Sequence, residues 1–259
     1  MSEPTLHTIA DCGHIAYRRI DGHGPGVIFL PGHGSDMDGS KALFLEQWAL
    51  GEGRAFLRFD YRGHGQSSGK MLDTNISDWT ADVLSVIDDL TDGPQILVGS
   101  SLGGWLMLNA ALARPQKIVG LVGIAAAPDF TEELIWAQLS DAQRQHMQKD
   151  GQIAIPNPYA DEPVIYPYHL IEDGRQHLRL TGEQGSGGLN INMPIRLIHG
   201  MQDEEVPWQT ATRIAAAASS NDVQVHMIKD AGHRFSEPWQ LAFLRDIVAN
   251  LVTELAPKI

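Results

Sequence analysis

The chain has 259 residues, 43% of them apolar, and its 32 acidic and 19 basic side chains give a net charge of −13 with histidine neutral. That length suffices for one large α/β domain or two small ones with a substantial core. The negative charge disfavours binding to nucleic acid or to anionic lipid surfaces, because both present negative phosphates. No apolar run approaches the roughly 20 residues of a transmembrane helix, so no membrane span is predicted.

Cysteine and histidine usage narrows the chemistry further. Cys12 is the only cysteine, which excludes an internal disulfide, and we interpret it as a small residue of an early strand or turn. The N-terminal residues lack the order of a secretory signal, so a cytoplasmic location is predicted. Eleven histidines are present, but no Cys/His cluster or His-Glu-x-x-His spacing indicates a metal. We predict neither a metal nor an organic cofactor.

Short apolar runs alternate with helical segments along most of the chain. Strands are predicted within 5–20 (two, as a hairpin) and at 27–30, 55–60, 95–100, 118–124, 195–199 and 223–228. Helices are predicted near 41–50, 78–90, 105–112, 209–218 and 238–255. The strands lack the alternation of a half-exposed sheet. We therefore expect an α/β fold with a mostly parallel, doubly wound sheet of about eight strands, whose chemistry lies at the carboxyl ends of the strands.

This alternation stops between residue 127 and the strand at 195. An amphipathic helix is predicted over 131–149, followed by a Pro-, Tyr- and Gly-rich segment over 153–188. Connections this long are uncommon unless they form a lid. We interpret 129–190 as a cap inserted into a core made of 1–128 and 191–259. Four cap aromatics could line an acyl pocket, although packing onto the core is the commoner role: Trp136, Tyr159, Tyr166 and Tyr168.

A strand, a tight turn and a helix meet around Ser101. In a nucleophile elbow the apical residue is strained, and the residues two before and two after it must be small. Gly99 and Gly103 meet this requirement for Ser101, whereas Ser100 would have Val98 and Leu102 at these positions. A plain glycine-rich turn is the alternative; a phosphate loop would end in Gly-Lys-Ser/Thr, which is absent.

A serine nucleophile needs a base that is oriented by an acid, in the chain order Ser, Asp/Glu, His. Asp203 directly follows a predicted strand, and His233 follows the last one after Gly232. Ser101, Asp203 and His233 are therefore the predicted catalytic residues. The competing acids are Glu204 and Glu205, and the histidines interpreted as structural or out of order are His199, His226 and His64.

Acyl transfer also needs hydrogen-bond donors for the developing oxyanion. The backbone N–H of Leu102, at a helix N-terminus, is one expected donor. The second is the backbone N–H of His33, in the glycine-rich turn after the strand at 27–30. We assign the His33 imidazole no proton-transfer role.

Five motifs in order carry a resemblance to the α/β-hydrolase superfamily over nearly the whole chain: Pro31-Gly32-His33-Gly34, 59–67, the Ser101 elbow, 199–203 and Gly232-His233. Within it, the similarity to mitochondrial acyl-protein thioesterases and acyl-glucuronide esterases is carried by the stretches 59–61, 83–90, 93–108, 113–117 and 206–208. The resemblance implies hydrolysis of S-acyl-cysteine thioesters and of esters such as acyl glucuronides. The chain departs from that pattern in His33-Gly34 and in residues 150–190, and no mitochondrial presequence is predicted at its N-terminus.

The sequence thus predicts a serine esterase or thioesterase that forms an acyl-enzyme. Its substrate would be a small-molecule ester or thioester, or an S-acylated protein. Three alternatives stay open: a small-molecule carboxylesterase or lactonase, an acyltransferase, and a non-enzymatic ligand receptor on the same scaffold.

Overall fold

The computed structural model describes residues 3–9, 13–156, 161–182 and 188–256, so the predictions for Cys12 and Tyr159 lie outside the described residues. The strands are β1 (Thr5–Ile9), β2 (Gly13–Ile20), β3 (His23–Leu30), β4 (Arg54–Phe59), β5 (Gln95–Ser100), β6 (Ile118–Ile124), β7 (Gln152–Ile155), β8 (Val164–Pro167), β9 (Ile195–Gly200) and β10 (Val223–Ile228). The helices are α1 (Ser40–Gly51), α2 (Ile76–Asp89), α3 (Leu102–Ala113), α4 (Asp141–Asp150), α5 (Tyr168–Gly174), α6 (Gln209–Ala217) and α7 (Pro238–Leu255).

Eight strands form one sheet in the order β1-β2-β4-β3-β5-β6-β9-β10. The β1–β2 and β2–β4 pairs are antiparallel, and every pair from β4 to β10 is parallel. The predicted mostly parallel sheet of about eight strands is therefore confirmed. Because β3, β5, β9 and β10 run in the same direction, the residues that follow them lie along one edge of the sheet.

Apolar side chains fill both faces of the sheet, which is the doubly wound arrangement predicted. Trp79 of α2 and Trp105 of α3 are fully buried in the core on one face, while Leu45 of α1 and Leu244 of α7 belong to the core on the other. Burial of a side chain of this size contributes about 2–3 kcal/mol. The central strand β5, which ends just before Ser101, therefore lies between two layers of helices.

Two secondary-structure predictions are wrong in detail. The helix predicted over 131–149 is divided into a π-helical turn, Thr131–Ile135, a 3-10 turn, Trp136–Gln138, and α4. The reason is local: Ser140 and Gln143 form a capping box that starts a new helix at Asp141. The strand predicted at 27–30 begins earlier, since β3 starts at His23, with a register shift between His23 and Val27 around Gly24-Pro25.

The segment between β6 and β9 forms no strand of the main sheet. It contains the antiparallel hairpin of β7 and β8, which the proline-rich composition did not predict, and the short helix α5. The division into a core (1–128 and 191–259) and a cap (129–190) stays a prediction. None of the helices within the described ranges is long and apolar enough to pass through a bilayer.

Candidate active site

Ser101 stands between the end of β5 and the start of α3 in a strained backbone conformation. Its φ of 53° and ψ of −116° lie outside the regions that non-glycine residues prefer. A Cβ built on Gly99 would collide with the Gly103 carbonyl, and one built on Gly103 would collide with the Leu30 carbonyl. Strand, turn and helix therefore approach as closely as the elbow prediction requires.

Gly103→Ala tests this close approach. The new methyl group would meet backbone atoms of Leu30 and Pro31, which cannot move aside as a flexible side chain could. We expect a loss of about 1–3 kcal/mol in the free energy of unfolding, measured in denaturant. Gly51→Ala is the matched control, because a Cβ there meets nothing within 4 Å. Equal stability of the two variants would contradict the steric argument.

The structure joins Ser101, His233 and Asp203 in one chain of hydrogen bonds. His233 Nε2 lies 3.1 Å from Ser101 Oγ, and His233 Nδ1 lies 2.9 Å from Asp203 Oδ2. The Nδ1 proton therefore points at the carboxylate, and Nε2 is left to accept the serine proton. Such a pairing can activate a hydroxyl as a nucleophile.

The Asp203 carboxylate is fully buried and surrounded by donors. Its Oδ1 accepts the backbone N–H groups of Glu205 (3.0 Å) and Val206 (2.8 Å). Its Oδ2 lies near both His233 Nδ1 and His199 Nε2, the latter at 3.2 Å. Although burial alone would raise the pKa of Asp203, the hydrogen bonds from His199, His233 and Val206 hold it well below its usual range. Asp203 is therefore ionised at neutral pH.

His199 was interpreted from the sequence as a structural strand residue, and its contact with Asp203 was missed. Its Nε2 faces two acceptors, the Asp203 carboxylate and the Val206 carbonyl at 3.0 Å, so the ring carries its proton there. Its buried Nδ1 has no hydrogen-bond partner among the described residues. The spacing of four residues between His199 and Asp203, across the end of a buried strand, was the available signal.

Leu102 and His33, whose backbone N–H groups are the predicted oxyanion donors, both line the cavity in front of Ser101. Neither donates a hydrogen bond to an acceptor within the described parts of the chain. Gly32 lies close to Ser101, since a Cβ built on it would be 3.4 Å from the Ser101 Cβ. Both amides are therefore available as the two donors that the oxyanion-hole prediction requires.

The loop that carries His33 is held by the polar residues that follow β4. Tyr61 OH donates to the Pro31 carbonyl (3.1 Å), His64 Nε2 accepts the Gly34 N–H (3.2 Å), and Asp60 Oδ1 accepts the Met37 N–H (2.6 Å). These contacts were also missed from the sequence. His64 therefore helps to hold the loop of His33 and is not the base of the hydrogen-bonded chain.

The His33 ring lies among aromatic side chains. It stacks on Tyr166 at 5.5 Å between ring centroids and meets Trp79 edge-on at 5.7 Å. Burial and the nearby His64 lower the pKa of His33 to about 3. The imidazole is therefore neutral at physiological pH, as its assignment to pocket shape rather than proton transfer assumes.

Acid should destabilise the protein through His33. The unfolded chain binds a proton at this histidine below a pH of about 6.5, whereas the folded chain does not until about 3. Stability is therefore lost as the pH falls through this window, by up to about 1.4 kcal/mol per pH unit. We expect His33→Phe, which keeps an aromatic ring, to show a shallower decline in unfolding free energy between pH 6.5 and 4. Parallel curves for wild type and variant would contradict this.

A cavity of about 1010 Å³ opens in front of Ser101. Apolar side chains from the segment between β6 and β9 supply much of its lining: Phe130, Leu134, Ile135, Ile155, Val164 and Ile165. Of the described aromatics predicted for an acyl pocket, Tyr166 lines the cavity. Trp136 and Tyr168 instead contact each other at 5.7 Å and are not among the lining residues. The cavity is large enough for a substrate of drug size.

The residues weighed against Asp203 and His233 are not part of the hydrogen-bonded chain. Glu204 and Glu205 line the cavity, and Glu205 Oε2 is 3.8 Å from His233 Nε2, beyond hydrogen-bond distance. His226, on β10, contacts Phe243 edge-on. None of them replaces a member of the hydrogen-bonded chain.

The matches to known proteins agree with this architecture. Residues 27–244 match the model of the alpha/beta hydrolase family, and the chain belongs to that family. It is 41% identical over 247 residues to "Palmitoyl-protein thioesterase ABHD10, mitochondrial" from Homo sapiens, covering 95% of this chain and 79% of that one. The structure of "Alpha/beta hydrolase domain-containing protein 10 from mouse" superposes with a TM-score of 0.90 at 36% identity, covering 98% of this chain and 100% of that chain. The predicted fold and hydrolase class are confirmed.

One prediction is corrected by these relatives. The thioesterases from Bos taurus, Homo sapiens and Pongo abelii that match this chain all have "mitochondrial" in their names. The cytoplasmic location predicted from the absence of a signal is therefore wrong, because residue order at the N-terminus is weak evidence of compartment.

Proposed function

We propose that this protein is a serine hydrolase that cleaves carboxylic thioesters and esters through an acyl-enzyme, with S-acylated protein as a substrate class. The observation that carries the proposal is the Ser101–His233–Asp203 hydrogen-bonded chain at the cavity. The names of the relatives support the thioester, and the apolar lining supports an acyl group.

In the first half-reaction Ser101 Oγ attacks the acyl carbon while His233 Nε2 takes its proton. The ionised Asp203 keeps the Nδ1 proton in place and stabilises the imidazolium that forms. The Leu102 and His33 amides hold the oxyanion of the tetrahedral intermediate. His233 then returns the proton to the departing sulfur or oxygen, which leaves an ester on Ser101.

In the second half-reaction water replaces the leaving group. His233 accepts a proton from water as the water attacks the acyl carbon, and the same two amides hold the second oxyanion. Collapse expels Ser101 Oγ, which recovers its proton from His233. The carboxylic acid leaves and the enzyme is regenerated.

Covalent labelling with a fluorophosphonate, mapped by mass spectrometry, tests the nucleophile, and the label should appear on Ser101. A panel of S-acyl-cysteine peptides, acyl glucuronides, p-nitrophenyl esters and lactones, assayed with and without added alcohol or amine acceptors, then tests the substrate class. We expect turnover of the acyl peptides. Turnover of small esters or lactones alone would indicate a carboxylesterase, amide or ester products formed with added acceptors would indicate a transferase, and absence of labelling would indicate a ligand receptor.

A further inference from the structure

One part of the cavity lining is polar and cationic. It comprises Ser40 and Lys41, at the start of α1, and Arg234 and Ser236, in the loop before α7. We refer to these four residues as the cationic patch. They border the same cavity as Ser101 and His233. The proposed reaction assigns them no role.

Lys41 is a half-buried residue of the patch. Its Nζ donates a hydrogen bond of 2.6 Å to the Arg234 carbonyl. No ion pair joins it to a carboxylate anywhere in the parts of the chain that the structure describes. The chain as a whole has a net charge of −13, yet this ammonium lies at the cavity without a carboxylate paired to it among the described residues.

The surroundings of Lys41 disfavour its charge. Burial, and then the charge of Arg234, lower the pKa of Lys41 to about 8. The amine is therefore still protonated at neutral pH, but in a site that does not compensate its charge. An anion placed beside Nζ would supply that compensation, and the charge-assisted hydrogen bond would be stronger than a neutral one.

The position of Arg234 relates the patch to the leaving group. Arg234 directly follows His233, which in the proposed mechanism returns the proton to the departing atom. Lys41 contacts the backbone of this same loop, so we place it on the leaving-group part of the cavity. Four acidic residues also line the cavity, and none of them forms an ion pair with Lys41 in the described parts of the chain. Asp36 accepts the Asp38 N–H at 2.9 Å and Glu205 lies near His233 Nε2; the others are Glu162 and Glu204.

We propose that Lys41 binds an anionic group, a carboxylate or a phosphate, carried by the leaving group of the substrate. This inference rests on the proposed function and narrows it. The protein would favour acyl compounds whose alcohol or thiol part is acidic over matched neutral ones. The apolar lining would take the acyl chain of either.

The test compares three phenyl esters with one acyl chain: para-octanoyloxybenzoate, para-octanoyloxyphenyl phosphate and the neutral para-octanoyloxybenzamide. For each anionic ester, kcat/KM is divided by that of the neutral ester, in wild type and in Lys41→Met. The intrinsic reactivity of each leaving group cancels when these ratios are compared between the two proteins. We expect the ratio to be about tenfold higher in wild type, as for a charge-assisted hydrogen bond in a half-buried site.

Two further variants make the result specific. Lys41→Arg keeps the charge and should retain most of the preference. Lys149→Met removes the same charge from an exposed position on α4 and should keep the wild-type ratio. A preference for the benzoate alone, or for the phosphate alone, would identify the acidic group.

Two results would overturn the subsite. An equal ratio in wild type and Lys41→Met is the first. The ratio would also be equal if kcat/KM fell by the same factor for all three esters in Lys41→Met. Lys41 would then serve only to hold the loop after His233 in place. The second is no turnover of any of the three esters by wild type, which would reject the proposed function itself.

Discussion

Ser101→Ala is expected to lower kcat for acyl thioesters and p-nitrophenyl esters by about 10⁵- to 10⁶-fold, the loss typical of a missing serine nucleophile. Without Oγ no acyl-enzyme can form, although the cavity and the two amides remain. The residual rate would come from binding and oxyanion stabilisation alone. Single-turnover assays with an acyl-peptide thioester would measure it, and the fluorophosphonate label should be lost.

Ser100→Ala is the matched control, because it removes the neighbouring hydroxyl from the buried end of β5. We expect this variant to keep activity within about tenfold of wild type. Both variants should unfold at similar temperatures. Alanine keeps the Cβ of serine, so the substitution at position 101 does not change the backbone strain there. Loss of activity in Ser100→Ala with full activity in Ser101→Ala would reject Ser101 as the nucleophile.

Asp203→Asn is expected to lower kcat by about 10⁴-fold. All four neighbours of the carboxylate are donors: two backbone N–H groups at Oδ1, and His199 and His233 at Oδ2. An amide has one oxygen, so its NH₂ group must face one of these pairs. If it faces the histidines, His233 loses the partner that keeps its proton on Nδ1. If it faces the backbone, two buried N–H groups lose their acceptor.

Asp230→Asn is the control for this substitution. Asp230 is exposed in the turn after β10, only three residues before His233, and its replacement should leave kcat within about twofold of wild type. Thermal unfolding would show whether the Asp203 variant is folded. A folded Asp203→Asn protein with kcat within tenfold of wild type would contradict the proposed orienting role.

The elbow and the strand ends could be predicted because their requirements are local. Gly99 and Gly103 identify Ser101 by steric need alone, and the positions of Asp203 and His233 follow from where buried strands stop. The parallel sheet follows from apolar runs without alternation. Chain order then leaves few ways to join a serine, an acid and a histidine.

Contacts between distant segments could not be predicted in this way. That Tyr61 and His64 hold the loop of His33 depends on the pairing of β3 with β4, which brings the two loops together. The hairpin of β7 and β8 forms in a segment whose composition favours turns. Lys41 reaches the loop of His233 across 193 positions of sequence, a separation about which local pattern carries no information.

The hydrogen-bonded chain and the apolar lining of the cavity come from different stretches of polypeptide. Ser101, Asp203 and His233 follow strands of the main sheet, whereas much of the apolar surface belongs to residues within 130–155 and 163–165. Substitutions in that stretch can therefore retune which acids are released while bond cleavage continues unaltered. Among related proteins, changes in substrate preference would then arise first in this segment, while the reaction stayed the same.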